Sequence, residues 1–245
     1  MQKLSPKAVI FDLGSTLIEY EAIPWEELND RCATSGRQML VEAGFSVPEE
    51  AEFQRLFESA KESYRKMAST SLVEWDVTMV AGPFIQNLGI EPKDDLVDHF
   101  FDAYYQPVDE MLYVYPDTVV TLEWLKPRCK KIGLISNTVF PERAHRMELK
   151  RFGIEPYLDF AIFSSTFKLR KPHPDIFLRA CELAGYAPDE CLYVGDRYVE
   201  DILGPTGIGM SAILRIKPGR EYPPEMTSDV RRISTLSELE EHLDI

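Results

Sequence analysis

Four short apolar runs, each closing on a polar residue, limit this chain more than any other feature. Residues 8–11 end at Asp12, 131–135 at Ser136 and Asn137, 160–163 at Ser164, and 191–194 at Gly195 and Asp196. A fifth run, 211–214, follows one further helical segment. An uninterrupted apolar run of this length suits a strand buried on both faces, and parallel sheets covered by helices bury their strands that way. The segments between the runs have helical spacing. Val119, Leu122 and Leu125 share one face of 118–125, and Ile176, Phe177, Ala180 and Leu183 share one face of 175–184. Gly153 stands where a helix over 142–152 needs its C-cap. A further helix is expected over 200–208. Strand and helix alternate, so the expected class is α/β, an open parallel sheet flanked by helices. Ligands of such sheets meet the carboxyl ends of the strands, where the polar residues fall.

The stretch 22–114 breaks this alternation. Amphipathic patterns over 25–43, 49–67, 72–88 and 94–105, punctuated by Gly44, Gly89 and Pro107, predict an all-helical subdomain inserted after the first strand. The expected division is a core of 1–20 and 115–245 and a helical subdomain of 21–114. Hydrophobic residues make up 44% of the 245, enough for a packed core. The formal net charge of −14 repels phosphate backbones, and no basic patch offsets it, so no nucleic-acid partner is expected. A small phosphorylated ligand would need a cation beside it. Cys32, Cys129, Cys181 and Cys191 form no Cys-x-x-Cys pair and no zinc spacing, which reads as reduced thiols of a cytoplasmic protein. Residues 1–7 are too short and polar for a signal peptide, and no apolar run reaches bilayer length, so no membrane partner is expected.

The strand ends carry the candidate chemistry. A carboxylate at Asp12 can act as nucleophile and metal ligand together, and the N–H groups that follow it, at Leu13 and Gly14, can meet phosphate oxygens. The competing reading is an Asp that caps a turn. Ser136 and Asn137 offer a hydroxyl and N–H groups to a phosphoryl oxygen, although Ser-Asn-Thr is also ordinary turn chemistry. Lys171, in Arg-Lys-Pro-His-Pro-Asp, can neutralise a phosphate and a nearby carboxylate, or stand solvated; His173 beside it reads as a helix-start residue. Asp196 ends a buried strand and Asp201 lies five residues on. Converging with Asp12, they would make an oxygen-lined site for magnesium.

Together these residues resemble the haloacid dehalogenase-like superfamily over most of the chain. Asp12 fits its first motif, Ser136 its second, Lys171 its third, and Asp196 with Asp201 its fourth. Lys171-Pro172-His173-Pro174-Asp175-Ile176-Phe177 and the stretch from Gly195 to Met210 match its usual phrases. The resemblance implies a Rossmann-like core with a helical cap, and a magnesium-dependent phosphatase acting on a small phosphorylated metabolite. Asp12 would attack phosphorus to form an aspartyl-phosphate, which water then hydrolyses. Magnesium would be held by Asp12, the Gly14 carbonyl and Asp196, with Asp201 direct or through water. Ser136 and Lys171 would steady the transferred group.

One position departs from the pattern. Family phosphatases usually carry a second Asp two residues after the nucleophile, where this chain has Gly14; Ser15 then stands at a usual glycine. That second Asp protonates the leaving group and later activates water, help worth about 10²–10⁴-fold. A good leaving group such as an acyl phosphate, a substitute acid such as Glu19 or Glu21, or a catalytically weakened protein that binds phosphorylated ligands would each account for Gly14. The dehalogenase branch typically has an aromatic residue at that position and lacks the Asp196/Asp201 pair. A phosphonate-cleaving relative would want a cap lysine, and none occurs between Lys7 and Lys61. Asp12-x-Gly14-x-Thr16 also resembles the phosphate loop of sugar kinases, which are usually longer and have two related halves.

Overall fold

The computed structural model describes residues 2–93, 95–224, 226 and 228–245. The chain forms two compact units: Met1–Glu19 with Tyr113–Asn137 and Glu142–Ile245, and Tyr20–Leu112 with Thr138–Pro141.

The first unit holds strands β1 (Ala8–Phe11), β2 (Ile18–Glu19), β3 (Tyr113–Val114), β4 (Lys131–Ser136), β5 (Phe160–Phe163), β6 (Cys191–Gly195), β7 (Ser211–Arg215) and β8 (Arg231–Ile233). Six of them form one parallel sheet in the order β5-β4-β1-β6-β7-β8. All residues of β1 and β6 are buried, as their apolar runs require. Gly133 lets β5 pack onto β4, since a Cβ there would lie 2.2 Å from the Phe160 ring. The chain winds outward from β1 through β4 to β5, then crosses to β6 and winds the other way. This reversal puts a switch point at the carboxyl ends of β1 and β6, the general binding crevice of open α/β sheets. There, Phe11 pairs with Val194, and the Asp12 N–H donates to the Val194 carbonyl at 2.9 Å.

Strands β2 and β3 pair antiparallel where the chain leaves and re-enters this unit. They were not predicted, nor was β8, because two or three residues give no readable period and β8 opens on two arginines. The helix expected over 200–208 is instead a π-helical turn, Tyr198–Leu203, followed by a short turn, Gly204–Thr206. π-Turns are uncommon and concentrate at functional sites.

The second unit contains helices α1 (Trp25–Glu42), α2 (Glu50–Ser71), α3 (Val77–Asn87) and α4 (Leu96–Met111). Its core is aromatic: the Phe57 ring meets Phe84 at 4.8 Å, Tyr104 at 5.4 Å and Phe100 at 5.6 Å, all edge-on. Gly36 permits α1 to approach α4, because a Cβ would sit 2.7 Å from the Phe100 ring. Three expectations are corrected. Helix α2 runs on to Ser71 and stops at left-handed Leu72, and α3 starts at Val77, capped by the Asp76 carboxylate accepting from Thr78 N at 2.7 Å. Helix α4 passes through Pro107 and does not end near it. An interior proline costs about 3 kcal/mol, but Tyr104, Tyr105 and Val108 are buried around it, and each such side chain contributes roughly 1.5–3 kcal/mol. Asp94, where that helix was expected to begin, lies outside the described residues. Finally, Thr138–Pro141 belongs to this unit and not to the core: Phe140 packs edge-on against Tyr105 at 4.8 Å, and Val77 N donates to the Val139 carbonyl at 2.8 Å. Among the described residues no helix is long and apolar enough to cross a membrane.

Candidate active site

Asp12, Tyr193 and Asp201 converge on one buried ammonium. Lys171 Nζ donates to Asp12 Oδ1 at 2.6 Å, to Asp201 Oδ1 at 2.6 Å and to the Tyr193 hydroxyl at 2.9 Å. Lys171 is 3% exposed, Asp12 7%, Asp196 1% and Asp201 0%. The lysine loop is held by Asn137, whose side chain accepts from Lys171 N at 2.8 Å and donates to the Lys171 carbonyl at 2.9 Å. Pro174 then begins the helix Pro174–Ala184, capped by His173 accepting from Asp175 N. Asp201 is fixed by the π-turn: its Oδ2 accepts from the N–H groups of Asp196 at 3.0 Å and Arg197 at 2.8 Å. This fit requires glycine at 195, where a Cβ would lie 2.4 Å from Asp201 Cγ.

Burial drives the electrostatics. It pushes the Asp12 carboxyl above its ordinary range, against the pull of Lys171, and the Asp201 charge adds to the rise. Burial also works against the Lys171 ammonium, but the Asp12 and Asp201 carboxylates outweigh it and hold that pKa well above its ordinary value. Burial, with the charges of Asp12 and Asp201, pushes Asp196 up to about 8 despite Arg220 and Arg197. Lys171 and Arg220 face three buried carboxylates, an acidic excess that a divalent ion would relieve.

The residues fit such an ion. Asp12, Asp196 and Asp201 each offer a carboxylate oxygen, all within 4.8 Å of one another. Asp196 Oδ1 is buried and has no hydrogen-bond partner among the described residues, a costly state that a bound cation would relieve. The donors are all oxygen, the preference of magnesium. Asp201 already accepts through both oxygens, which suits contact through water better than direct ligation.

The remaining predicted residues fall nearby. Ser136 ends β4 and is buried, but no hydrogen bond joins its hydroxyl to Asp12, Lys171 or Asp201 among the described residues. The Leu13 backbone pulls the Asp12 pKa down, against burial, and half-buried Gly14 follows in the same turn. Ser15 has φ +58, a region unfavourable to L-residues. It is clamped there: Arg215 donates to its carbonyl at 2.7 Å, Lys217 Nζ donates to its Oγ at 2.9 Å, and its Oγ lies 3.2 Å from Glu19 Oε1. Glu19 is buried, accepts from Lys217 at 2.9 Å through Oε1 and from Tyr115 through Oε2. Both oxygens are engaged, so Glu19 is structural in this arrangement and a poor replacement for the missing acid. Sequence reasoning missed Tyr193, hidden inside an apolar run; Thr16, which donates to Asp12 Oδ2 at 3.3 Å; and Arg220 and Tyr222, which sit in the loop after β7.

The family model described as haloacid dehalogenase-like hydrolase matches residues 6–209. The glyceraldehyde 3-phosphate phosphatase of Methanopyrus kandleri is 27% identical over 223 residues, covering 91% of this chain and 89% of that protein. Among solved structures, the 2-haloacid dehalogenase of Pseudomonas syringae pv. Tomato superposes with a TM-score of 0.73 at 22% identity, covering 96% of this chain and 97% of the other. A HAD phosphatase from Thermococcus onnurineus superposes with a TM-score of 0.62 at 26% identity, covering 98% of this chain and 100% of the other. The likeness to the dehalogenase is one of fold alone.

Proposed function

The chain belongs to the haloacid dehalogenase-like hydrolase family, and from that premise we propose that it is a magnesium-dependent phosphatase acting on a small phosphorylated metabolite through Asp12. The observation that carries this reading is the buried Asp12–Lys171–Asp201 cluster beside Asp196, whose Oδ1 lacks a hydrogen-bond partner among the described residues. Halide displacement could use the same nucleophile but needs no metal, so it leaves the unpartnered Asp196 oxygen without a role. Relatives aligned over most of the chain include glyceraldehyde 3-phosphate phosphatases, which favours phosphate ester substrates over the ligand-binding alternative.

In the proposed reaction an Asp12 carboxylate oxygen bonds to phosphorus as the bond from phosphorus to the leaving oxygen breaks. The leaving oxygen takes a proton from solvent, since Gly14 offers none. Water then attacks the aspartyl-phosphate at phosphorus, freeing inorganic phosphate and restoring Asp12. A magnesium ion held by Asp12, the Gly14 carbonyl and Asp196 would supply charge neutralisation for the transferring group. Lys171 pulls against the burial that raises the Asp12 pKa and lends a second positive charge, while Ser136 and the N–H groups of Leu13, Gly14 and Asn137 are the candidate donors to phosphoryl oxygens. Positioning and charge dominate phosphoryl transfer, so this inventory suffices for catalysis without a general acid, at reduced rate.

The test is phosphate release from a panel including glyceraldehyde 3-phosphate, phosphoglycolate and acyl phosphates, with and without Mg²⁺, for wild type and Asp12→Asn. Metal-dependent release that the substitution abolishes supports the proposal. Release that survives Asp12→Asn, or no release from any substrate, counts against it.

A further inference from the structure

We propose that Arg220 is a positioning residue that orients Asp196 toward the divalent cation, an inference that rests on the metal site proposed above. The Arg220 guanidinium donates to Asp196 Oδ2, while Oδ1 of the same carboxylate is buried without a hydrogen-bond partner among the described residues. A carboxylate held through one oxygen presents the other in a fixed direction. Outer partners of this kind set ligand orientation in metal sites.

The loop that delivers Arg220 is built from the sequence upward. Strand β7 ends at Arg215, and Lys217-Pro218-Gly219-Arg220 follows. Pro218 takes the second position of a turn and Gly219, with φ +81, the third. Arg220 N closes it by donating to the Lys217 carbonyl at 3.2 Å. This is the residue pattern a type II turn demands, with proline presetting one φ and glycine supplying the positive one. Tyr222 ties the turn to the site: its hydroxyl accepts from Lys217 N at 2.9 Å and donates to the Asp196 carbonyl at 3.2 Å. Asp196 is therefore gripped at its backbone by Tyr222 and at its side chain by Arg220. Arg220 Nη1 also reaches the Asp196 carbonyl, at 3.5 Å.

An opposite role is chemically available. A guanidinium on a ligand carboxylate could compete with the ion, and its removal would then tighten metal binding. The unpartnered Oδ1 argues for orientation, because Arg220 takes the other oxygen.

The experiment is Mn²⁺ titration followed by the electron paramagnetic resonance signal of the free ion, with folding checked by circular dichroism. The proteins are wild type, Arg220→Ala, Arg220→Lys and Tyr222→Phe. Arg179→Ala, at a partly exposed arginine, controls for the change in net charge. Arg220→Ala is expected to weaken Mn²⁺ binding by about 10–100-fold, Arg220→Lys and Tyr222→Phe by less, and Arg179→Ala not at all. Phosphate release by Arg220→Ala should recover at high metal concentration. If Arg220→Ala fails to fold, Arg220→Lys carries the same expected direction. Unchanged or tighter Mn²⁺ binding in the folded Arg220 variants overturns the proposal. So does a raised KM for substrate with metal affinity intact, which would make Arg220 a substrate contact. A wild type that binds no Mn²⁺, or binding undiminished by Asp196→Asn, would instead overturn the underlying metal site.

Discussion

Lys171→Met preserves the length of the side chain and removes its charge, so it isolates what one buried ammonium does. Nζ bridges Asp12 and Asp201 at 2.6 Å each in a place that water scarcely reaches. The variant leaves both carboxylates buried with no cation between them. Breaking a buried pair by removing one partner costs about 3–5 kcal/mol, a large share of the roughly 5–15 kcal/mol that holds a typical domain together. Asp12 has one escape, which is to take up a proton. Its folded pKa, already raised by burial, then lies further above the unfolded one, so the penalty shrinks as pH falls below that raised value. Lost packing alone would carry no such pH dependence. The assay is urea unfolding of wild type and variant, by far-ultraviolet circular dichroism in a metal chelator, at pH 7 and pH 5. The reasoning calls for a deficit of about 3–5 kcal/mol at pH 7 and a clearly smaller one at pH 5. Added Mg²⁺ should restore part of the deficit. A loss below about 1 kcal/mol at pH 7, within the range of exposed ion pairs, or a deficit equal at both pH values, would refute it.

Other consequences can be checked with similar means. Gly195→Ala drives a methyl group into Asp201, 2.4 Å from its Cγ, and should destabilise the core by about 1–3 kcal/mol as overpacking does; phosphate release should fall at least about tenfold, and wild-type rates would contradict the geometry. Gly14→Asp should raise turnover of alkyl and sugar phosphates, by up to about 10²–10⁴-fold, while acyl phosphates gain less; no gain in a folded variant would count against Gly14 as the site of the missing acid. His145 is buried against Phe163, its rings 5.2 Å apart, and burial pushes its pKa down to about 3 from an ordinary 6.5. A folded pKa below the unfolded one means stability is whole above pH 6.5 and lost as pH falls toward 3. Between pH 7 and pH 5 this contributes about 2 kcal/mol, so His145→Gln should lose that much less than wild type over the same interval in urea titrations.

Much of the core was legible because its strands are buried on both faces. Runs such as 8–11 and 191–194 advertise that burial, and their polar endings mark the carboxyl edge of the sheet. Asp12, Lys171, Asp196 and Asp201 could be named because each stands beside a turn-forming or strand-ending signal. What periodicity misses is anything set by distant partners. Tyr193 looks like one more apolar strand residue until its hydroxyl is seen under Lys171. Glu19 reads as an acidic surface residue, yet Lys217, nearly two hundred positions later, pairs with it inside the protein. Arg220 had one available signal, the Pro218-Gly219 turn just past a strand end, which fixes where the next side chain goes. Pro107 misled because local propensity argued for a stop, while the buried face around Tyr104, Tyr105 and Val108 kept the helix going.

Covalent capture of phosphate on the strand-one carboxylate probes the whole scheme in a single step. Protein mixed briefly with a phosphorylated substrate and Mg²⁺, then quenched with borohydride and digested, should show reductive loss of the acyl phosphate in the peptide containing Asp12 and in no other. Without its second Asp the protein should release phosphate slowly from this adduct, which favours its accumulation. Substrate consumed with that peptide unmodified, or a mark on a different carboxylate, would contradict the account.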